Sequence, residues 1–157
     1  MADAGNPARA VARDTDWLRF RDDIAADEPA VSLDAFLAQS NAASVRIEAG
    51  ENVEDLIPHL DRVKLVEVDF PKFRDGRGFS TARILREAGY TGEIKAVGDV
   101  LVDLVFFMRR CGFDSFAPDA PIDPEVLDAA LKRYPYVYQA AADDALQIGR
   151  ASCRERV

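Results

Sequence analysis

The sequence predicts an α/β fold: a small single-domain parallel β-sheet of about four strands with crossover helices. Three observations predict it. Between Ser44 and Tyr134 the apolar residues switch repeatedly between the strand period of about 2 and the helix period of about 3.6. The strand-like runs are separated by helix-length segments, the long connections that parallel neighbours require. Glycine or proline punctuates the switches, at Pro71, Gly89, Gly112 and Pro124. The chain of 157 residues is long enough to enclose one core.

Residues 1–28 mix Ala, Arg and Asp around Trp17-Leu-Arg-Phe20, a pattern too short and polar to build its own core. They are expected to be a partly mobile segment, with Trp17 and Phe20 one helical turn apart and able to lie together on the body of the domain. The α/β domain is expected over residues 29–140. It opens with a short helix over 32–39, capped by Ser32 and turning Leu33, Phe36 and Leu37 to one side. Ser44 to Ala49 alternates as a half-exposed strand, Val53 to Leu60 carries a helix, and Val63 to Phe70 reads as a fuller, buried strand that Pro71 stops. A turn at Asp75-Gly-Arg-Gly78 leads to a helix over 80–88, with Ser80 as cap and Gly89 as left-handed stop. Glu93 to Val97 is the third strand. Asp99 caps an apolar helix over 100–111 that Gly112 closes, Phe113 to Ala117 is the fourth strand, and Asp123-Pro124 starts a last helix running to about Tyr134. Parallel strands bury both faces. Right-handed crossovers place the loops Glu48–Asn52, Pro71–Phe79, Gly98–Asp99 and Pro118–Asp123 on one sheet edge, the carboxyl edge where ligands of such sheets bind.

Residues 141–157 are expected to be a disordered tail. Its last residues, 148–157, resemble the in-frame translation of a common sequencing adapter and take no part in the fold. The competing reading is a basic tail for an acidic partner. With Cys153 in that stretch, Cys111 is left as the one cysteine of the domain, too few for an internal disulfide or a multi-cysteine metal site.

Acidic residues outnumber basic ones, 28 to 20, which argues against nonspecific nucleic-acid binding, because that depends on neutralising phosphates. No apolar run approaches the length of a membrane span, about 20 residues, and no secretion signal opens the chain; a cytoplasmic protein is expected.

The candidate site is the basic loop. Lys72, Arg74 and Arg77 surround Asp75, with Arg83 and Arg86 further along the helix. Gly76 and Gly78 let backbone N–H groups turn inward, and with Ser80 they lie at a helix start, whose partial positive charge suits sulfate, sulfite, phosphate or a carboxylate. Arg binds such an oxyanion through two parallel hydrogen bonds, Lys as a point charge. The bland reading makes the same residues a tight turn, with Arg77 paired to Asp75 or Asp99, and Arg83 and Arg86 solvated or paired with Glu87. Asp99 and Asp103 stand four apart on an otherwise apolar helix; Asp99 reads as a cap, and Asp103 either as an acid, base or arginine anchor or as an outward-facing carboxylate. Cys111, beside Arg109 and Arg110, is expected as a small buried hydrophobe rather than a reactive thiol. His59, the single histidine, reads as surface or core filler, and Tyr134-Pro-Tyr-Val-Tyr138 as core cover. No dinucleotide fingerprint, haem or cluster ligand set is evident, so no cofactor and no metal is assigned.

The runs Asp69 to Ser80, Gly92 to Leu101 and Phe106 to Phe116 resemble a bacterial family known as domain of unknown function 934, over most of the chain from about Trp17 to Gln139. Its members are typically encoded beside assimilatory sulfite or nitrite reductases and other cysteine-biosynthesis enzymes, and are often described as oxidoreductases of sulfite reduction, without an established mechanism. The family pattern has Asp-Gln where this chain has Asp103-Leu104; a polar contact made by that Gln is missing here. The resemblance implies an accessory protein or oxidoreductase of assimilatory sulfite reduction, with sulfite or nitrite reductase as partner and a small oxyanion on the basic loop. The alternatives are a noncatalytic regulatory domain for a small anion or phosphometabolite, and a structural partner of the reductase that uses Phe79, Tyr90 and the 134–138 aromatics as contact surface.

Overall fold

A computed structural model describes residues 29–38 and 41–142; the expectations for residues 1–28 and for the tail past residue 142 lie outside the described residues. Five parallel strands, one more than expected, form one sheet in the order of the chain: β1 (Val31–Ser32), β2 (Ser44–Ile47), β3 (Leu65–Phe70), β4 (Glu93–Gly98) and β5 (Ser115–Pro118). The added strand is β1, only a two-residue ladder beside β2. It escapes sequence reading because so short a run has no period. Between the strands run α1 (Leu33–Ala38), a 3-10 helix (Val53–His59), α2 (Arg77–Glu87) and α3 (Val102–Cys111), and α4 (Pro124–Lys132) follows β5. Pro58 lies inside the 3-10 helix, and its missing N–H and ring exclude a regular α-helical turn there.

A sheet wound in strict sequence order by right-handed crossovers carries its helices on one face. The core follows that rule. Val45, Val66 and Ile94 are in register, as are Ile47, Val68, Ala96 and Phe116. These same-face residues join Phe36, Leu56, Ala82, Leu85, Val105, Met108 and Leu127 of the helices in one cluster. The second face is buried too at Ser44, Leu65, Glu93, Val97, Ser115 and Ala117, as expected of parallel strands, but its composition is mixed. It carries a row of polar partners, Ser32, Arg46, Glu67, Lys95 and Ser115. The strand order does not reverse anywhere among the described residues, so these five strands form no switch-point crevice.

Several ends match their local signals. Ser32 Oγ accepts from Ala35 N–H, and Asp123 Oδ1 accepts from Glu125 N–H at 2.8 Å ahead of Pro124. Gly89 closes α2 in a left-handed turn, with Tyr90 N–H on Leu85 O and Gly89 N–H on Arg86 O. Two caps differ. Helix α2 begins at Arg77 with Gly76 as its cap, so Ser80 is an exposed residue of the first turns and caps nothing. Helix α3 begins at Val102 with Leu101 at the cap position, and Asp99 is spent elsewhere. Arg86, expected near the basic loop, ties the elements together instead. Its guanidinium donates to Gly112 O, Tyr90 O and Gly92 O and pairs with Asp114 at 2.5 Å, while the same Asp114 oxygen accepts from Ile94 N–H at 2.9 Å.

Candidate functional site

Proline 71 ends β3 and sends the chain over the carboxyl edge, where the next crossover meets it. Phe73 N–H donates to Asp99 Oδ2 at 2.9 Å, joining the β3–α2 loop to the β4–α3 corner, and Asp99 N–H donates to Phe70 O at 2.8 Å. Asp119 N–H, after β5, reaches Gly98 O at 2.9 Å. Gly98 has φ +93°, and a Cβ there would stand 2.6 Å from Phe70 O, so the corner needs glycine. The loop after β2 closes the group: a Cβ on Gly50 would meet Arg77 Nη1 at 2.8 Å. Four loops separated in sequence thus share one rim.

Within the rim, Asp75 holds Arg77. Arg77 Nε and Nη2 donate to the two carboxylate oxygens at 2.9 and 2.5 Å, and Arg77 N–H donates to Oδ1 at 3.2 Å. Those hydrogen bonds hold the Asp75 carboxyl at about 2 and raise Arg77 in return. The chain's own carboxylate therefore takes both features expected to receive an oxyanion, the guanidinium fork and a helix-start N–H. Lys72 and Arg74 are exposed, and neither has an ion pair among the described residues; the Arg74 guanidinium lies 5.3 Å from the centre of the Phe73 ring. Gly78 is buried against the Phe70 ring, which a Cβ would strike at 2.5 Å. Its role is close packing, which the turn pattern did not suggest. Asp103 is exposed in the first turn of α3, and Arg83 pairs with Glu87 at 2.7 Å.

Sequence reasoning missed the polar sheet face. Arg46 donates to Glu67 Oε2 through Nε at 3.1 Å and Nη2 at 2.7 Å, Lys95 Nζ stands 3.6 Å from Glu67 Oε1, and Ser115 Oγ donates to Glu93 at 2.6 Å. Burial pushes the Asp69 carboxyl up; Arg46 opposes that, while Glu48, Asp119 and Glu67 add to it. A signal was there to find. Val66, Val68 and Phe70 alternate with Glu67 and Asp69, which puts the charged residues of this strand together on its second face.

Elsewhere, His59 stacks edge-on against Phe36 and contacts Arg62 through Nδ1 at 3.2 Å, and Cys111 is half-buried in the last turn of α3. The tyrosine run is a correction. Tyr134, Tyr136 and Tyr138 are exposed, Tyr138 at 83%, and Val137 is the buried member; charge-free rings still tolerate water when one anchor holds the segment. Tyr90, expected as contact surface, is buried with its hydroxyl on Glu93 O. Among the described residues no group of three or more His, Cys, Asp or Glu could hold a metal ion, and no helix is long and apolar enough to cross a membrane.

A family model described as "Bacterial protein of unknown function (DUF934)" matches residues 44–148, a span that includes β2 to α4, the whole rim and most of the polar row. No curated protein and no solved structure matches.

Proposed function

The chain belongs to the DUF934 family of bacterial proteins of unknown function, and on that premise we propose that it is an accessory protein of assimilatory sulfite reduction that holds a small oxyanion at the rim. The pathway is the one the family's typical gene neighbours imply. The observation that carries the oxyanion is the pair of exposed side chains Lys72 and Arg74, without ion pairs among the described residues, beside the start of α2. Lys72 supplies a point charge and Arg74 a planar fork. Arg77 joins them when the anion displaces Asp75, and the backbone around Gly76 and Gly78 adds N–H dipoles. An oxidoreductase role would draw its cofactor from the partner reductase.

Thermal unfolding with sulfite, sulfate or phosphate, with and without the purified reductase, tests this reading. The expected result is a rise in Tm, lost in the Lys72→Ala, Arg74→Ala double variant and kept in Cys111→Ser. Asp75→Asn, which frees Arg77, is expected to tighten the anion severalfold. No stabilisation by any of the three anions in either condition would overturn it.

A second reading rests on a different observation. Phe73, Phe107, Tyr134, Tyr136 and Tyr138 are exposed, and Phe107 packs on Phe79 with ring centres 5.1 Å apart. Aromatic side chains of this kind anchor protein interfaces, which favours a purely structural partner of sulfite or nitrite reductase. Co-purification with the reductase without any anion effect supports that reading over the first.

A further inference from the structure

The polar face of the sheet contains groups whose hydrogen bonding the fold leaves incomplete. Ser44, 1% exposed at the start of β2, has no hydrogen-bond partner for its hydroxyl among the described residues, although buried hydroxyls ordinarily have one. One row along the same face, Lys95 keeps 22% of its side chain exposed and stands 3.6 Å from Glu67, beyond hydrogen-bonding distance. Glu67 Oε2 already accepts twice from Arg46. Two cations therefore flank a single carboxylate. One row further, toward the rim, carboxylates predominate: Asp69 is half-buried, and although Arg46 is the charge that acts on it most strongly, Glu48, Asp119 and Glu67 all add negative charge around it.

A ligand completing this pattern needs a negative group for Arg46 and Lys95 and a positive, hydrogen-donating group for Asp69. A simple anion meets repulsion from the Asp69 row, and a simple cation meets it from Arg46 and Lys95. We propose that the sheet face opposite the described helices, around Ser44, Arg46, Glu67, Asp69 and Lys95, is a binding site for a small zwitterion of the amino-acid type, with its carboxylate against Lys95 and Arg46 and its ammonium group toward Asp69. The Ser44 hydroxyl bonds a further polar atom of the ligand. Because all five side chains stand on strands, the site is held rigidly and does not depend on the rim loop.

Thermal unfolding of the full chain with free amino acids, supplied one at a time at millimolar concentration, tests the proposal, with acetate and methylamine as single-charge controls. At least one amino acid is expected to raise Tm by several degrees where neither control does. Lys95→Met and Asp69→Asn are each expected to weaken its binding at least tenfold by calorimetry, and Ser44→Ala severalfold, while Arg77→Ala leaves it unchanged. Far-UV circular dichroism identifies a variant that fails to fold, and the milder Ser44→Ala then carries the comparison. Stabilisation by none of the amino acids, stabilisation equalled by acetate or methylamine, or binding that survives in folded Lys95, Asp69 and Ser44 variants would overturn the site. The rim reading stands or falls separately, on Lys72 and Arg74.

Discussion

Asp75 and Asp69 are shifted in opposite directions from the ordinary carboxylate value, Asp75 chiefly by hydrogen bonds from Arg77 and Asp69 chiefly by burial. Asp75 is half-buried, and hydrogen bonds from Arg77 hold it at about 2; whatever stability it contributes is present above its unfolded value of 3.8 and is lost as pH falls through about 2. Asp69 is the reverse case. Burial raises its folded value above 3.8, so the folded chain keeps a proton that the unfolded chain releases, and its contribution falls as pH rises through that window. Asp69→Asn is therefore expected to raise Tm at neutral pH and to leave it unchanged well below pH 3.8, where both states carry the proton; thermal melts across that range check the sign. The Asp75–Arg77 pairing was legible as one reading of the turn, because the two residues are neighbours in sequence. The Arg46–Glu67–Lys95 row was not, because its members come from three strands and meet only in register.

Elements were legible where a local rule decides them. Asp123 before Pro124 and Gly89 after α2 act as the residue types dictate, since a cap or a left-handed stop involves only neighbours in sequence. Ser80 and Asp99 look like equally good caps and are not. Helix α2 starts a turn earlier, at Arg77, because Gly78 packs under Phe70 and draws the helix start onto the sheet edge. Asp99 turns back to Phe73 N–H because Gly98, at φ +93°, bends β4 toward Phe70 O. Gly98→Ala would combine an unfavourable φ with a backbone clash. It is expected to cost about 1–3 kcal/mol, read by urea unfolding, and to loosen the contact between the two loops of the rim.

At the scale of the molecule, the Arg86–Asp114 pair joins the end of α2, the end of α3 and the start of β4 through one carboxylate and three carbonyls. Asp114→Ala leaves the Arg86 cation without its counter-charge and Ile94 N–H without that acceptor, and is expected to destabilise the fold by about 3–5 kcal/mol in denaturant unfolding. The sequence by itself determined the α/β class, the parallel sheet, most strand positions and the gathering of four loops at one rim, because apolar period and connection length are properties of contiguous residues. Only the tertiary structure decided that the strands run in chain order with the described helices on one face, that the other face carries a charged row across three strands, and that Arg86 is a clamp while Lys72 and Arg74 remain exposed. Those outcomes depend on which distant strands and loops pair, and a side chain's partner across a sheet is set by register, which no local pattern encodes.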